Sequence, residues 1–256
     1  MNPTLPAFIP MKILGIDIGG SAFKGAPVET KTGRILAERL RVEVDSPCPT
    51  AQGLAAARKI ARHFNWHGPV GLGFPGIIQA GRIGPVGNLG HNWEKKDGAA
   101  LFGQATGGRA RMFNDADAAG LAEMKFGAGR GQQGSVLMLT FGTGIGSALF
   151  YRGQLFPNAE LGHVPWRGKP FEHFASAAVR KRLDLTWPAW AARVNVYLQV
   201  MERLFSPDLI IVGGGVSKKS DKWFKYIKTR ARMVPAKMHN DAGIVGAALA
   251  WELGGR

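Results

Sequence analysis

Gly15-Ile16-Asp17-Ile18-Gly19-Gly20-Ser21-Ala22-Phe23-Lys24-Gly25 and Leu139-Thr140-Phe141-Gly142-Thr143-Gly144-Ile145-Gly146-Ser147-Ala148 are two versions of one pattern. Each reads as an apolar strand with a polar residue near its end, a glycine turn and a second strand. Setting Asp17 against Thr140 brings Gly19 onto Gly142, half a chain away. The recurrence predicts two related halves whose glycine hairpins face a common ligand. Glycine lets backbone amides approach anionic oxygen unobstructed, and successive amides form an anion nest. Gly19, Gly20 and Gly144 supply that backbone, Ser21 and Thr143 add hydroxyls, and Lys24 adds charge. Asp17 can hold Mg²⁺ through water, because that ion prefers oxygen ligands and retains much of its hydration. Ordinary hairpin turns are the alternative; two in aligned positions favour a phosphate and make phosphoryl transfer the first hypothesis.

Around these turns, strands alternate with helices, the pattern of an α/β chain with mixed sheets. Lys12–Ile18 and Ser21–Val28 form the first hairpin, and Ile35–Val44 is expected as a third strand. Ala51–Phe64 has helical spacing, Val70–Phe74 is a short buried strand, and residues 79–92 read as an exposed loop. Arg109–Asn114 is a strand, followed by a helix over Ala116–Phe126 with Asp115 at its cap. The second hairpin is Ser135–Phe141 with Gly146–Tyr151. Trp187–Leu204 is a long helix, Leu209–Val212 a strand, Ser217–Arg232 a basic helix and Ala242–Leu253 the last helix. The expected division is an N-terminal extension over 1–11, a small lobe over 12–127 and a larger lobe over 128–256. The last helix, about 242–253, is free to pack back on the first lobe.

Composition narrows the partners. With 33 basic and 18 acidic residues the formal charge is +15, which favours a polyanion over a neutral ligand; a generally basic surface is the plain alternative. The single cysteine, Cys48, excludes an internal disulfide and a cysteine-built zinc site. No apolar run reaches the roughly 20 residues of a membrane span, and no signal peptide is visible, so a soluble cytoplasmic protein is expected.

The motif Gly-x-x-x-x-Gly-Lys-Ser/Thr of a P-loop is missing. Gly142–Gly146 resembles a dinucleotide fingerprint only loosely, because a strand follows it where a helix is required. Asn114-Asp115 closes a strand and opens a helix. A carboxylate there can take the proton of an attacking hydroxyl, but Asp is also a common helix cap, and local sequence alone favours the cap. Glu160-Leu161-Gly162-His163 sets an acid and an imidazole three residues apart, and Glu172 follows. Such groups suit a polyhydroxylated ligand; one histidine and two acids make a weak metal site. Lys218, Lys222, Lys225 and Arg232 recur at helical spacing as a basic stripe, with Arg180–Arg182 as a second cluster. A solvated helix face opposite Trp223 and Ile227 explains the stripe equally well.

Taken together, Asp17–Gly25, Gly73-Phe74-Pro75-Gly76, Asn114-Asp115, Gly142–Gly146, Glu160–His163 and Ile211–Val216 resemble the ROK sugar kinases. Asn88–Trp93, Leu139–Leu149, Phe205–Lys219 and Asn240–Ala248 resemble the polyphosphate glucokinase branch, which includes polyphosphate/ATP glucomannokinases. The resemblance implies an actin-like, ribonuclease-H-like two-lobed α/β fold. It implies Asp115 as catalytic base, reversing the local preference for a cap. It implies hexose contacts at Gly76, Asn88, Asn114, Asp115, Glu160, His163 and Glu172. It implies phosphate contacts at Asp17, Gly20, Lys24, Thr143 and Gly144, to which the hairpin reading adds Gly19 and Ser21. Gly214 and Gly215 border the implied donor site, and the basic stripe adds Lys218, Lys222 and Lys225 as candidate donor contacts. The implied reaction is transfer of a terminal phosphoryl group from inorganic polyphosphate or ATP to the 6-hydroxyl of glucose, with Mg²⁺ and no organic cofactor, in a homodimer. Many ROK kinases carry a cysteine-rich zinc motif after Glu-x-Gly-His; Val164–Phe171 has no cysteine, so structural zinc is not expected. A strictly ATP-dependent hexokinase is the nearest rival. A ROK repressor needs a helix-turn-helix ahead of the first hairpin, which ten proline-containing residues cannot supply. A non-catalytic nucleic-acid binder would account for the charge but not for Asn-Asp and Glu-x-Gly-His, so no nucleic acid and no membrane partner are expected.

Overall fold

The computed structural model describes residues 11–86 and 89–253. In the first half, β1 (Lys12–Ile18) and β2 (Ala22–Glu29) form an antiparallel hairpin. Next come β3 (Arg34–Ile35), β4 (Leu40–Glu43), α1 (Thr50–His63) and β5 (Val70–Phe74). β6 (Gly76–Gln79), β7 (Arg82–Val86), α2 (Gly98–Thr106), β8 (Ala110–Asn114) and α3 (Asp115–Phe126) complete it. The sheet runs β3-β2-β1-β5-β8, with β4 also on β2.

The second half opens with β9 (Ser135–Phe141), β10 (Ile145–Tyr151) and β11 (Gln154–Phe156). A small ribbon of β12 (Pro165–Trp166) and β13 (Lys169–Pro170) leads to α4 (Glu172–Ala175), α5 (Ala177–Arg182) and α6 (Trp187–Phe205). β14 (Leu209–Gly213), α7 (Ser220–Trp223), β15 (Arg232–Pro235) and α8 (Ala242–Glu252) follow. This sheet runs β11-β10-β9-β14-β15.

The two sheets repeat one plan: a hairpin, then two parallel strands beyond its first strand. The register repeats as well. Asp17 stands beside Gly73 of β5, and Thr140 beside Gly213 of β14. The fold is therefore a two-lobed α/β architecture with a duplicated mixed sheet, of the actin-like sugar-kinase type.

Each half has its own core. Leu14, Ile16, Phe23, Leu72, Phe74, Trp93 and Phe102 fill the first, with the rings of Trp93 and Phe102 stacked at 5.5 Å. Phe141, Trp190, Tyr197, Met201 and Trp223 fill the second. α3 and α8 pack on each other between the sheets, α8 lying on β1 and β5 and α3 reaching β10. That crossing needs glycine. A Cβ on Gly246 would fall on the carbonyl oxygen of Ala118, so the two backbones touch only because residue 246 has no side chain.

Four sequence expectations change. Ile35–Val44 is two short strands: Pro27 on β2 has no N–H to give, and the pairing breaks between Val28↔Ile35 and Gly25↔Leu40. Much of the 79–92 loop is hairpin, because Ile78, Ile83 and Val86 point inward around the Ala80-Gly81 turn, where both residues have positive φ. Asp115 is the first residue of α3 and not its cap. Asn114 is the cap, its Oδ1 accepting from Ala116 N–H at 2.9 Å and Asp117 N–H at 3.1 Å.

The fourth change removes the basic stripe. Ser217–Arg232 is not one helix but two 3₁₀ turns around the four-residue α7, followed by extended chain and β15. Trp223 is fully buried, 4.7 Å from Trp190 between ring centroids, and donates its indole N–H to Val216 C=O. Side chains of α6 then hold the next residues extended. Asn195 accepts from Lys228 N–H and donates to Tyr226 C=O, and Glu202 accepts from the N–H groups of Arg230 and Ala231. With those backbone groups engaged by α6, the helix cannot continue. Lys218, Lys222 and Lys225 lie exposed on successive turns, and Arg232 opens β15.

Candidate active site

The duplicated hairpins bring the ends of both sheets to one cavity of about 240 Å³. Asp17, Lys24 and Asp115 line it from the first half, and Thr140, Gly213 and Gly214 from the second. Asp17 and Lys24 are register partners across β1 and β2, which places their carboxylate and ammonium 3.6 Å apart on one face. Burial raises the Asp17 pKa, opposed by Lys24 and by the charge of Arg39. Arg39 itself pairs with Asp241 at 2.9 Å, just ahead of α8. Gly214 has φ of +77°, and a Cβ there would strike the Phe141 carbonyl, so glycine is required where β14 turns beside the second hairpin.

Asp115 sits where β8 ends, at the first turn of α3. Its carboxyl is pushed up to about 7, chiefly by burial and next by the Asp17 carboxylate; its bond from Ala116 N–H opposes this, while Glu160 and Asp117 add to it. The preceding residue ties it to a second set of groups. Asn114 donates from Nδ2 to the Gly76 carbonyl at 3.2 Å and to Glu160 Oε1 at 3.0 Å. Glu160 Oε2 lies 3.3 Å from His163 Nδ1, and His163 Nε2 lies 3.9 Å from Glu172 Oε1. Glu172 Oε2 accepts from Ile145 N–H at 3.1 Å, which fixes this chain of acids and imidazole to the second hairpin. Ser147 supports it from below by accepting Leu161 N–H at 2.9 Å and donating to the Ala159 carbonyl.

The residues singled out in the sequence therefore fall into three groups. Asp17, Lys24, Asp115 and Gly214 line the cavity. Gly76, Asn114, Glu160, His163 and Glu172 form the connected polar set adjoining Asp115. Gly19, Gly20, Ser21, Thr143, Gly144 and Gly215 are at the turns and do not line the cavity; nor do the exposed Lys218, Lys222 and Lys225. Asn88 lies outside the described residues, as does most of the 1–11 extension.

Several lining residues had no assigned role: Gly213, Ser217, Ala236, His239, Asn240 and Gly243. Ser217 donates to the Gly214 carbonyl at 2.8 Å. A Cβ on Gly243 would stand 2.7 Å from the Asp17 Cγ, so the start of α8 rests against that carboxylate. The Asn240–Ala248 segment carried a family resemblance, but its chemistry is not visible locally, because it enters the cavity from the far end of the chain.

A magnesium ion fits this cavity in chemical terms. Two carboxylates face it, and that of Asp17 raises the pKa of Asp115. Among the described residues no group of three or more His, Cys, Asp or Glu side chains could hold a metal. The ion would take one carboxylate, waters and phosphate oxygens, its usual arrangement.

Residues 13–177 match the ROK family. The chain is 42% identical over 240 residues to the polyphosphate glucokinase of Mycobacterium tuberculosis, covering 92% of this chain and 89% of that one. It is 27% identical to the glucokinase of Thermotoga maritima, over 93% of this chain and 96% of the relative. Among solved structures, the inorganic polyphosphate/ATP-glucomannokinase from Arthrobacter sp. strain KM superposes with a TM-score of 0.91 at 42% identity, covering 94% of this chain and 98% of that one. A family match over most of the chain and a relative this similar over nearly its whole length agree with the duplicated sheets: the chain belongs to the ROK family.

Proposed function

We propose that this protein transfers the terminal phosphoryl group of inorganic polyphosphate, and also of ATP, to the 6-hydroxyl of glucose. The observation that carries this reading is the placement of Asp115. Its carboxyl, with a pKa near 7, lies on the wall of the cavity shared with Asp17 and Lys24, while its neighbour Asn114 binds Glu160. A phosphate pole and a hydroxyl-binding pole thus meet at one titratable group. The names of the relatives support glucose as acceptor and polyphosphate as donor. The Arthrobacter enzyme's name adds ATP and extends the acceptors to mannose.

In this reading Asn114, Glu160, His163 and Glu172, with the Gly76 carbonyl and Asn88, hold the sugar hydroxyls. Asp115 accepts the proton of the 6-hydroxyl as that oxygen attacks phosphorus. A base with pKa near the working pH suits this task. Lys24, the Gly19-Gly20-Ser21 turn and the Thr143-Gly144 turn draw the donor's terminal phosphates toward Asp115, and Gly214 and Gly215 flank the chain behind them. Positioning and electrostatics dominate phosphoryl transfer. Bound Mg²⁺, held by Asp17 through water, would spread the charge developing on the phosphate oxygens.

Lys218 follows the cavity-lining Ser217 directly and is the first cation beyond the reacting phosphates; Lys222 and Lys225 extend the surface as separate contacts. We take the lobes to divide at residues 127 and 128, with α8 returning to the first; the duplicated sheets on either side of that point support it. No helix among the described residues is long and apolar enough to cross a membrane. A homodimer is part of this reading and rests on the family resemblance; a cytoplasmic location is the simplest reading of the sequence.

Initial rates with glucose and either nucleotide-free polyphosphate or ATP test the proposal. Turnover with polyphosphate is expected. Turnover with ATP alone would replace it with an ATP-dependent hexokinase, and tight nucleic-acid binding without phosphorylation of any sugar would replace it with a polyanion-binding protein.

A further inference from the structure

Away from the donor cavity, one asparagine joins three parts of the fold. Asn158 has φ of +60°, a left-handed backbone that asparagine tolerates better than most residues. In that pose its side-chain amide engages both backbone groups of Ile78. Oδ1 accepts from Ile78 N–H at 3.0 Å, and Nδ2 donates to Ile78 C=O at 3.0 Å. Its own N–H donates to Asp117 Oδ2 at 2.7 Å. Ile78 belongs to β6 in the first half, Asp117 to α3, and Asn158 to the segment after β11 in the second half. Asp117 is only 1% exposed, and its Oδ1 meets no partner, so the bond to Asn158 is its carboxylate's one hydrogen bond among the described residues.

Sequence spacing gives this clasp leverage. Ile78 is two residues after Gly76, and Asn158 is two residues before Glu160. Gly76 C=O and Glu160 Oε1 both accept from Asn114 Nδ2. The two arms held by Asn158 therefore converge on the residue beside Asp115. Neither Asn158 nor Asp117 lines the donor cavity.

We propose that Asn158, seated on Asp117, is a positioning residue that sets the spacing between the Gly76 carbonyl and Glu160, and so governs affinity for the hexose without governing affinity for the phosphate donor. The inference rests on the reading of Asn114, Glu160 and His163 as the sugar pole.

The test compares Asn158→Ala, Asp117→Ala and the double variant with the full-length wild type. Glucose is varied at saturating polyphosphate, polyphosphate at saturating glucose, and melting is followed in parallel. Each single variant is expected to raise the glucose KM about tenfold, the scale of about 1.4 kcal/mol. The polyphosphate KM should stay within about twofold. Asp117 accepts from the backbone N–H of residue 158, which Asn158→Ala keeps, so the double variant should raise the glucose KM at least as far as the worse single. A lower melting temperature with glucose KM unchanged would assign Asn158 a merely structural role and overturn the proposal; an unchanged glucose KM in Asp117→Ala would overturn the coupling to Asp117. Should Asp117→Ala fail to fold, Asp117→Asn, which keeps an acceptor and the side-chain shape, is expected near wild-type KM, and the glucose KM of Asn158→Ala decides. Wild type that phosphorylates no hexose would overturn the functional reading and the clasp's role with it. Active wild type with an unchanged glucose KM in Asn158→Ala would overturn the clasp alone.

Discussion

Asn114 and Glu160 meet through a 3.0 Å hydrogen bond from Nδ2 to Oε1, although they belong to different halves of the chain. The same Asn114 caps α3 through its Oδ1. One amide therefore fixes both the start of the helix carrying Asp115 and the acid that follows the second hairpin. Asn114→Ala removes the cap and the cross-link together. The expected result is a loss of about 0.5–2 kcal/mol of stability from the cap with a rise in glucose KM, read by denaturant unfolding and initial rates. Unchanged KM would separate Asn114 from the sugar pole.

Asp115→Asn keeps the shape of the side chain but cannot accept a proton. A fall in kcat of about 10²–10⁴ is expected, the usual contribution of a positioned acid or base. Glucose binding, followed by calorimetric titration, should remain near wild type. Near-normal kcat would remove Asp115 from the catalytic role.

The raised pKa of Asp115 gives two pH signatures. With a carboxyl titrating near 7, kcat/KM should rise with pH through about 7, as the base loses its proton. The stability effect has the opposite sense. An unfolded Asp ionises near 3.9, so ionisation is penalised in the folded state, increasingly as pH rises toward the folded pKa. Asp115→Asn should therefore raise the melting temperature more at pH 8 than at pH 5. An equal gain at both pH values would contradict the burial argument.

Gly246→Ala tests the crossing of α3 and α8. The added methyl would fall on the Ala118 carbonyl, and overpacking of this kind costs about 1–3 kcal/mol. Thermal melting should show the loss, and an unchanged melting temperature would contradict the close crossing.

The paired hairpins were legible because their pattern is local: Asp17 and Thr140 each sit one residue before the last of an apolar strand, ahead of glycine. The family resemblance implied a base at Asp115, which local chemistry assigned to a cap, and a hexose at the Glu160–His163 segment, whose acid and imidazole already suited a polyhydroxylated ligand. The Ser217–Arg232 segment was misread because its lysines keep helical spacing, while the groups that stop the helix, Asn195 and Glu202, lie on α6. Gly243 and Asn240 escaped for a related reason. Gly243 comes to rest on Asp17, and Asn240 reaches the same cavity, only when the last helix returns to the first sheet. Tertiary contacts of this kind leave no periodic trace in the sequence.

Phosphorus NMR of the product most directly tests the central claim, that Asp115 stands between a phosphate pole and a sugar pole. Wild type incubated with glucose, magnesium and nucleotide-free polyphosphate should accumulate glucose 6-phosphate, and Asp115→Asn at equal concentration should yield almost none. Comparable accumulation by both proteins, or none by wild type, would contradict the account.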